Sequence, residues 1–385
     1  MRILVTVPWA ERLGGAEAML QAILDGAQES GHEVELVFFE PGPWPDELRD
    51  AGFRVEVIRA GRLRQVHRWL ATVLKLAGII RRRRPDVILN WAAKTHLYGS
   101  PAAVLAGMGE RVIWWQQAIP RRAWGIDLFA TLLPAAAIGC YGKVAAEAQA
   151  RMFPSRPTFV VHAGAPVPQP YAGPAVLDLP ADVPIVGLVG RLQPWKGQDR
   201  LLGAQALLRE RGHGLHVVIV GGDSWGLSPE YARSLQPLVE RLGLAGSVTM
   251  TGEVPDAGPY IEQLDVLVNA SDPEPFGIVL LEGMARGVAV VAVDSGGPGE
   301  FVDDRRTGML ARSGEPRALA DALEPLLVSE QLRLQLGRAG RERFMRDFTD
   351  AALRERFFDE LEALVQARAT STTAPSRARS NGRVS

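Results

Sequence analysis

A single cysteine, Cys140, occurs in 385 residues. No intrachain disulfide can form, so the fold has to rest on buried apolar area and needs no oxidising compartment. Long apolar runs are missing too: no window reaches the roughly 18 to 20 uninterrupted apolar residues of a spanning helix. The charges at Glu11 and Arg12 follow the first apolar stretch too soon for a secretory signal. A cytoplasmic location is the expectation. Net charge is −1, which excludes a global electrostatic attraction to nucleic acid. The balance is uneven, roughly +4 up to residue 180 and about −5 beyond it, so a basic surface belongs to the N-terminal half. No repeat of short period is present.

What the chain does have is length and a regular alternation. Its length exceeds one ordinary core and suits two domains of roughly 150 to 200 residues, hence a cleft between them. Apolar residues make up 47% and charged residues 23%, the balance of a soluble globular protein. Short Val- and Ile-rich runs alternate with longer amphipathic stretches throughout, which predicts repeated strand–helix units around parallel sheets. In the first half the predicted strands are Ile3 to Val7, Val34 to Phe39, Val55 to Ile58, Val87 to Asn90, Val112 to Trp115, Ala135 to Gly139 and Thr158 to Val161. Six prolines from Pro166 to Pro184 then mark an interdomain connection. Alternation restarts with Ile185 to Val189, Leu215 to Val220, Ser247 to Met250, Val266 to Asn269 and Val288 to Val293. The stretch from Glu315 to about Gln366 is nearly all helical. The final residues carry almost no bulky apolar side chain and are expected to be disordered.

The most informative stretch runs from Ser271 to Glu282, through Pro273, Glu274, Pro275, Phe276, Gly277 and Ile278. It follows a strand and enters a helix, whose free N–H groups and dipole form an anion site. With Glu282 about two turns inside that helix, eight residues separate it from Glu274 by roughly 12 Å at most. That is about the span from hexose to ribose across a diphosphate. Gly190-Arg191-Leu192-Gln193-Pro194-Trp195-Lys196-Gly197 likewise joins a strand to a helix, at the sheet edge where ligands of such folds bind. Arg191 can grip two phosphate oxygens at once, and Lys196 adds a second positive charge against a leaving diphosphate. Gly14-Gly15, before Ala16-Glu17, and Gly296-Gly297, in the run ending Pro298-Gly299-Glu300, supply glycines that let backbone approach a phosphate. Taken singly, each of these features also fits a cap, a surface cation or a turn.

The order Gly-Gly-Ala-Glu, Val-Gly-Arg-Leu-x-x-x-Lys-Gly, Glu-x-Phe-Gly-x-x-x-x-Glu and Gly-Gly-x-x-Glu resembles family 4 of the glycosyltransferases, the group 1 type with the GT-B fold. The resemblance covers nearly the whole chain and is strongest from Gly187 to Gly308. It implies an α/β protein with two Rossmann-like domains whose parallel sheets face each other across a cleft. The acceptor-binding domain would span 1–165, the linker 166–183 and the nucleotide-sugar-binding domain 184–345. A helix over 346–366 would pack back toward the first domain, ahead of a disordered tail over 367–385. The implied activity is retaining, metal-independent transfer of a sugar from a nucleotide-diphosphate donor to a glycan, lipid-linked or small-molecule acceptor, as in polysaccharide or glycoconjugate synthesis. No cofactor is implied, and no Asp-x-Asp metal motif is present.

Residue by residue, the resemblance makes Arg191 and Lys196 the diphosphate pair and Glu274 the catalytic-site carboxylate facing the transferred sugar. Glu282 becomes the ribose ligand and Gly15 the N-terminal loop that meets the donor on closure. Val254 lies beside the base, and Gly190, Phe276, Gly277, Ile278, Gly296 and Gly297 complete the donor site. Family members often carry a histidine near the reacting sugar where this chain reads Trp114-Trp115-Gln116-Gln117. Gln116 and His96 are the candidates for that position, and glutamine cannot take up a proton near neutrality. A front-face mechanism lets the departing phosphate accept the proton instead.

Seven of nine tryptophans fall before residue 130, among them Trp124; of these Trp9 is the candidate to line the cleft. Residues 62–84 form a basic amphipathic segment that fits either a sheet-covering helix or an anionic membrane surface. Two other readings keep the same fold: a nucleotide-sugar epimerase, and a non-catalytic donor-binding subunit.

Overall fold

The computed structural model of the protein describes residues 1–12, 14–61, 63–120, 125–223 and 226–373, with side chains as far as residue 370. The first sheet is built from β1 (Arg2–Val7), β2 (Glu33–Phe38), β3 (Arg54–Val57), β4 (Val87–Asn90), β5 (Val112–Gln116), β6 (Ala137–Cys140) and β7 (Thr158–Val160). The second contains β8 (Ile185–Val189), β9 (His216–Val220), β10 (Val248–Gly252), β11 (Val266–Asn269), β12 (Ala289–Val293) and β13 (Met309–Ala311). Their spatial orders are β3-β2-β1-β4-β5-β6-β7 and β10-β9-β8-β11-β12-β13, with every pairing parallel. β9 and β12 are buried along their whole length. Helices cover both sheet faces, so such strands read as unbroken apolar runs rather than alternating ones.

The helices of the first domain are α1 (Gly15–Ala27), α2 (Pro43–Asp50), α3 (Val66–Arg83), α4 (Ala93–Leu105), α5 (Ile126–Leu132) and α6 (Lys143–Ala150). Those of the second are α7 (Gln198–Glu210), α8 (Pro229–Arg241), α9 (Gly258–Ile261), α10 (Ile278–Arg286), α11 (Pro316–Val328) and α12 (Glu330–Asp347). The last helix, α13 (Asp350–Thr373), returns to the first domain. There Arg354 donates to the Ala22 carbonyl of α1 at 3.3 Å, and the Phe357 ring lies 5.6 Å from that of Trp115. The chain therefore crosses between domains twice. The two crossings are stitched together where Ala165 N donates to Phe348 O and Asp350 N to Ala165 O, both at 3.0 Å.

Both sheets place a strand-order reversal at their centre, between β1 and β4 and between β8 and β11. The connections leaving those strands diverge, which opens a crevice at their carboxyl ends. The runs Pro8–Arg12, Gly190–Gly197 and Ala270–Gly277 all leave these edges.

Three expectations are corrected. Helix α10 begins at Ile278, so Glu282 lies little more than one turn inside it rather than two. Pro275 disfavours a helical residue at Glu274, and Gly277 adopts φ 97°, which no helix interior accommodates. The helix expected to stop at Gln366 continues to Thr373, because Ala and Arg favour helix and Arg368 anchors on the Asp86 carbonyl at 3.1 Å. Of the expected tail, residues 374–385 lie outside the described residues. Strand β13 was missing from the predicted set, since three residues at a sheet edge leave too short an apolar run to register.

Candidate functional site

A cleft of about 940 Å³ lies between the domains, at the carboxyl edges of β1, β8 and β11. Trp9, Gly15, Gly190, Arg191, Lys196, Val254, Glu274, Phe276, Gly277, Ile278 and Glu282 all line it. Two helix N-termini face it from opposite walls. A Cβ added to Gly15 at the start of α1 would stand 2.7 Å from Ile278 Cδ1 at the start of α10. Neither helix has a side-chain cap, so first-turn N–H groups and two positive dipole ends are directed at the same space. That arrangement favours an anion.

Backbone bonds hold the Arg191 loop rigidly to the sheet. Gly190 N donates to Val220 O and Leu192 N to Gly222 O, both at 2.9 Å, while Gln198 donates to the Arg191 carbonyl. Five residues on, Lys196 ends a short 3-10 turn with its ammonium 4.0 Å from the Trp195 ring centroid. Lys196 Nζ donates to Glu274 Oε2 at 3.0 Å, and Asn269 Nδ2 reaches the same oxygen at 3.2 Å. Glu274 is only 6% exposed. Burial alone would push its carboxyl up, but Lys196, Asn269 and Ser271 outweigh it and hold the carboxyl below the usual range. The site thus carries a fixed anion that can only accept hydrogen bonds.

Glu282 behaves oppositely. Burial pushes its carboxyl up to about 7, with Arg286 opposing the shift and Asp256 adding to it. A folded carboxyl with a raised pKa keeps a proton that the unfolded chain releases. The protein therefore loses stability as pH rises from the ordinary carboxylate range toward 7 and carries the full cost above it. Glu282→Gln is expected to raise the melting temperature at pH 8, by at most about 3 kcal/mol in free energy, and to approach wild type near pH 5. Scanning calorimetry at the two pH values tests this; a variant less stable than wild type at pH 8 contradicts it.

Gly296 and Gly297 do not line the cleft. They are packed beneath it, pairing with the Glu274 segment: Glu274 N donates to Ser295 O and Gly297 N to Glu274 O, both at 2.9 Å. Gly296 has φ 113°, and a Cβ there would run into the Glu274 carbonyl. Their place is to seat the Glu274 loop rather than to line the cleft.

His96 and Gln116 are also corrected. His96 is fully buried, stacked 5.2 Å from Trp114, and its Nδ1 takes a 3.2 Å hydrogen bond from Asn90 Nδ2. Burial pushes its imidazole down to about 3, so it stays neutral and lies away from the cleft. Gln116 is 2% exposed and its amide donates to Asp127 and Gln149, each at 3.2 Å. Its neighbour Gln117 lines the cleft instead and donates to the Trp91 carbonyl. Trp124 lies outside the described residues.

Glu17 and Tyr141 line the N-terminal wall without having been singled out as site residues. Glu17 is 3% exposed and accepts from the Trp9 indole. Burial, and next the Glu17 charge, push the Tyr141 hydroxyl well above the usual phenol range. The only signal available in sequence was position, Tyr141 being one residue beyond β6 at the ligand-binding edge. No group of three His, Cys, Asp or Glu side chains placed to hold a metal occurs among the described residues.

Residues 174–343 match the family model described as glycosyl transferases group 1, and residues 14–159 match a glycosyl transferase 4-like domain. The chain is 32% identical over 187 residues to the lipopolysaccharide core biosynthesis glycosyltransferase LpsE of Rhizobium meliloti, covering 49% of this chain and 52% of that one. It is 38% identical over 168 residues to a GDP-mannose-dependent alpha-(1-6)-phosphatidylinositol monomannoside mannosyltransferase of Mycobacterium tuberculosis, covering 41% and 42%. The chain therefore spans about half the length of the curated relatives it matches. Among solved structures, Anabaena HepE in complex with UDP superposes with a TM-score of 0.79 at 23% identity, covering 94% of this chain and 100% of that one. The likeness is one of fold.

Proposed function

The chain belongs to the group 1 glycosyltransferases, with a 4-like N-terminal domain, and from that membership we propose that it transfers a sugar from a nucleotide-diphosphate donor to a hydroxyl acceptor with retention of configuration and without a metal. One observation carries the reading: Arg191, Lys196 and the uncapped tip of α10 share one cleft with the ionised Glu274. Cations and aligned N–H groups offset charge that grows on a departing diphosphate. An anionic carboxylate beside them accepts from the hydroxyls of the transferred sugar. LpsE and the mannosyltransferase, named for sugar transfer, and HepE, solved with UDP, lend support.

In the step proposed, the acceptor oxygen bonds to the anomeric carbon on the face the diphosphate leaves, and the acceptor proton passes to the departing phosphate oxygen. No protein base is required. Gln117, in the cleft, fits a hydrogen-bonding part and cannot serve as a base near neutrality. Incubation with UDP-, GDP- and ADP-sugars and hydroxyl acceptors in EDTA, followed by NMR, tests the reading. Products that keep the donor's anomeric configuration are expected. Inverted products, strict metal dependence, or conversion of donor without any acceptor reject it.

We further propose that the acceptor is met at a membrane surface. No helix among the described residues is long and apolar enough to cross a membrane. However, α3 buries Val73, Leu76, Ala77 and Ile80 on the domain while Val66, Leu70 and Leu74, four residues apart, remain 69%, 47% and 56% exposed. Arg64, Arg68, Lys75, Arg81 and Arg82 are exposed on the same segment, and Arg62 lies outside the described residues. An exposed apolar stripe on a helix with cations beside it suits an anionic interface. Flotation with anionic vesicles that weakens with salt is expected; recovery equal with neutral vesicles would remove the idea.

A further inference from the structure

Gly142, which precedes α6, has no side chain to cap that helix. The cap comes from the other domain. Glu300, at the end of the 3-10 turn Gly297–Glu300, accepts from Lys143 N at 2.7 Å with Oε2 and from Val144 N at 2.9 Å with Oε1. His162 Nε2 adds a third bond to Oε2 at 3.0 Å. All three donors belong to the N-terminal domain or its exit, and the carboxylate that joins them belongs to the C-terminal domain. The seat is close-fitting: a Cβ on Gly142 would stand 2.6 Å from Glu300 Oε1. Burial raises the carboxyl's pKa, but the His162, Val144 and Lys143 hydrogen bonds reverse that shift and keep it ionised.

The same turn reaches the reaction site from its other end. Gly297 N donates to the Glu274 carbonyl at 2.9 Å. The His162 ring stacks 5.6 Å from Phe276, which lines the cleft. Domain position and Glu274 position are thereby linked through the four residues of one turn.

We propose that Glu300 is a positioning residue that pins the Glu274 loop to the N-terminus of α6 and so sets the relative register of the two domains across the cleft. The kinetic part of this proposal rests on the transferase reading above; the geometric part does not. Because Arg191, Lys196, Glu274, Glu282 and the α10 tip sit on the C-terminal domain and only the α1 tip comes from the other, losing the pin should cost donor binding far less than turnover. What it should disturb is the meeting of donor and acceptor walls.

Spin labels on Glu29→Cys and Glu240→Cys, one on each domain and both exposed, report interdomain distance without substrate. Cys140, the native cysteine, is buried and escapes labelling. A narrow distance distribution is expected for wild type, a broader and longer one for Glu300→Ala, and an intermediate one for Glu300→Gln, whose amide oxygen can still accept from α6. With turnover available, Glu300→Ala should lower kcat about 10- to 100-fold while the donor Kd changes less than about 3-fold. Gly142→Ala, which keeps the acid but fills its seat, should reproduce both effects, and it carries the test should Glu300→Ala fail to fold. Wild-type distances and kcat in the folded variants overturn the proposal. So does a loss of donor affinity as large as the loss of kcat, which would make Glu300 merely structural. An absence of transfer in wild type, with the distance shifts intact, would instead count against the transferase reading alone.

Discussion

Glu274→Ala is expected to lower turnover by about 10²- to 10³-fold while leaving the protein folded and its donor affinity equal or improved. The asymmetry follows from the Lys196 pair. Lys196 directs its charge at Glu274, 3.0 Å away. Removing the carboxylate frees the ammonium for the donor diphosphate, so ground-state binding gains what the reacting sugar loses. Lys196→Ala should cut turnover by a similar factor but weaken donor binding too. It also leaves Glu274 buried with Asn269 and Ser271 as its remaining help, so its carboxyl pKa rises and stability falls by roughly 1 to 3 kcal/mol. In wild type the depressed carboxyl contributes stability above the ordinary carboxylate range, and that contribution is lost as pH falls below that range and through the depressed folded pKa. The lysine variant should lose most of this pH dependence. The double variant should be no slower than the worse single one, because the two groups act as a unit. Steady-state kinetics, with denaturant unfolding of the same samples at several pH values, tests these statements, and wild-type rates in either single variant reject the assignment.

Gly297→Ala should be nearly as damaging to activity, although the residue does not line the cleft. An added methyl would lie 2.5 Å from Pro275 O and 2.9 Å from Phe276 N, both backbone atoms that cannot rotate away. The segment from Glu274 to Phe276 has to move. A displacement of about 1 Å at a reacting centre costs about 10²-fold in rate, and the overpacking itself costs about 1 to 3 kcal/mol. Gly78→Ala makes the control. It lies within α3, where a Cβ meets nothing nearer than Arg82 Nη1 at 3.5 Å, so the change should be neutral or slightly stabilising. A Gly297→Ala enzyme with a rate within two-fold of wild type would show that the Glu274 loop does not depend on its seat.

The framework was legible because apolar runs record local burial. Val87–Asn90, Ile185–Val189 and Val266–Asn269 form strands with the boundaries read from sequence, since a parallel strand covered on both faces must be apolar along its length. The residues on the β8 and β11 edges were legible for a related reason: a strand end followed by glycine and a cation or carboxylate marks a ligand edge. Which way a side chain turns once there was not. Gln116 and Gln117 look equivalent in sequence, yet one is locked between Asp127 and Gln149 while the other meets the cleft. His96 looked available at a helix start, but packing against Trp114 carried it into the core. Contacts across domains left no local trace at all. Glu300 meets Lys143 across 157 residues of chain, and nothing near either residue announces the other.

On the proposed function, a diphosphate held between Arg191, Lys196 and the α10 tip anchors the donor. Titration calorimetry of UDP, GDP and ADP, each against its parent nucleoside, measures it on wild type and on the Arg191→Ala/Lys196→Ala double variant. At least one diphosphate should bind about 10²-fold or more tighter than its nucleoside, and the double variant should lose that excess while keeping nucleoside affinity. Equal affinity for nucleoside and diphosphate, or an excess that survives loss of both cations, would contradict the account.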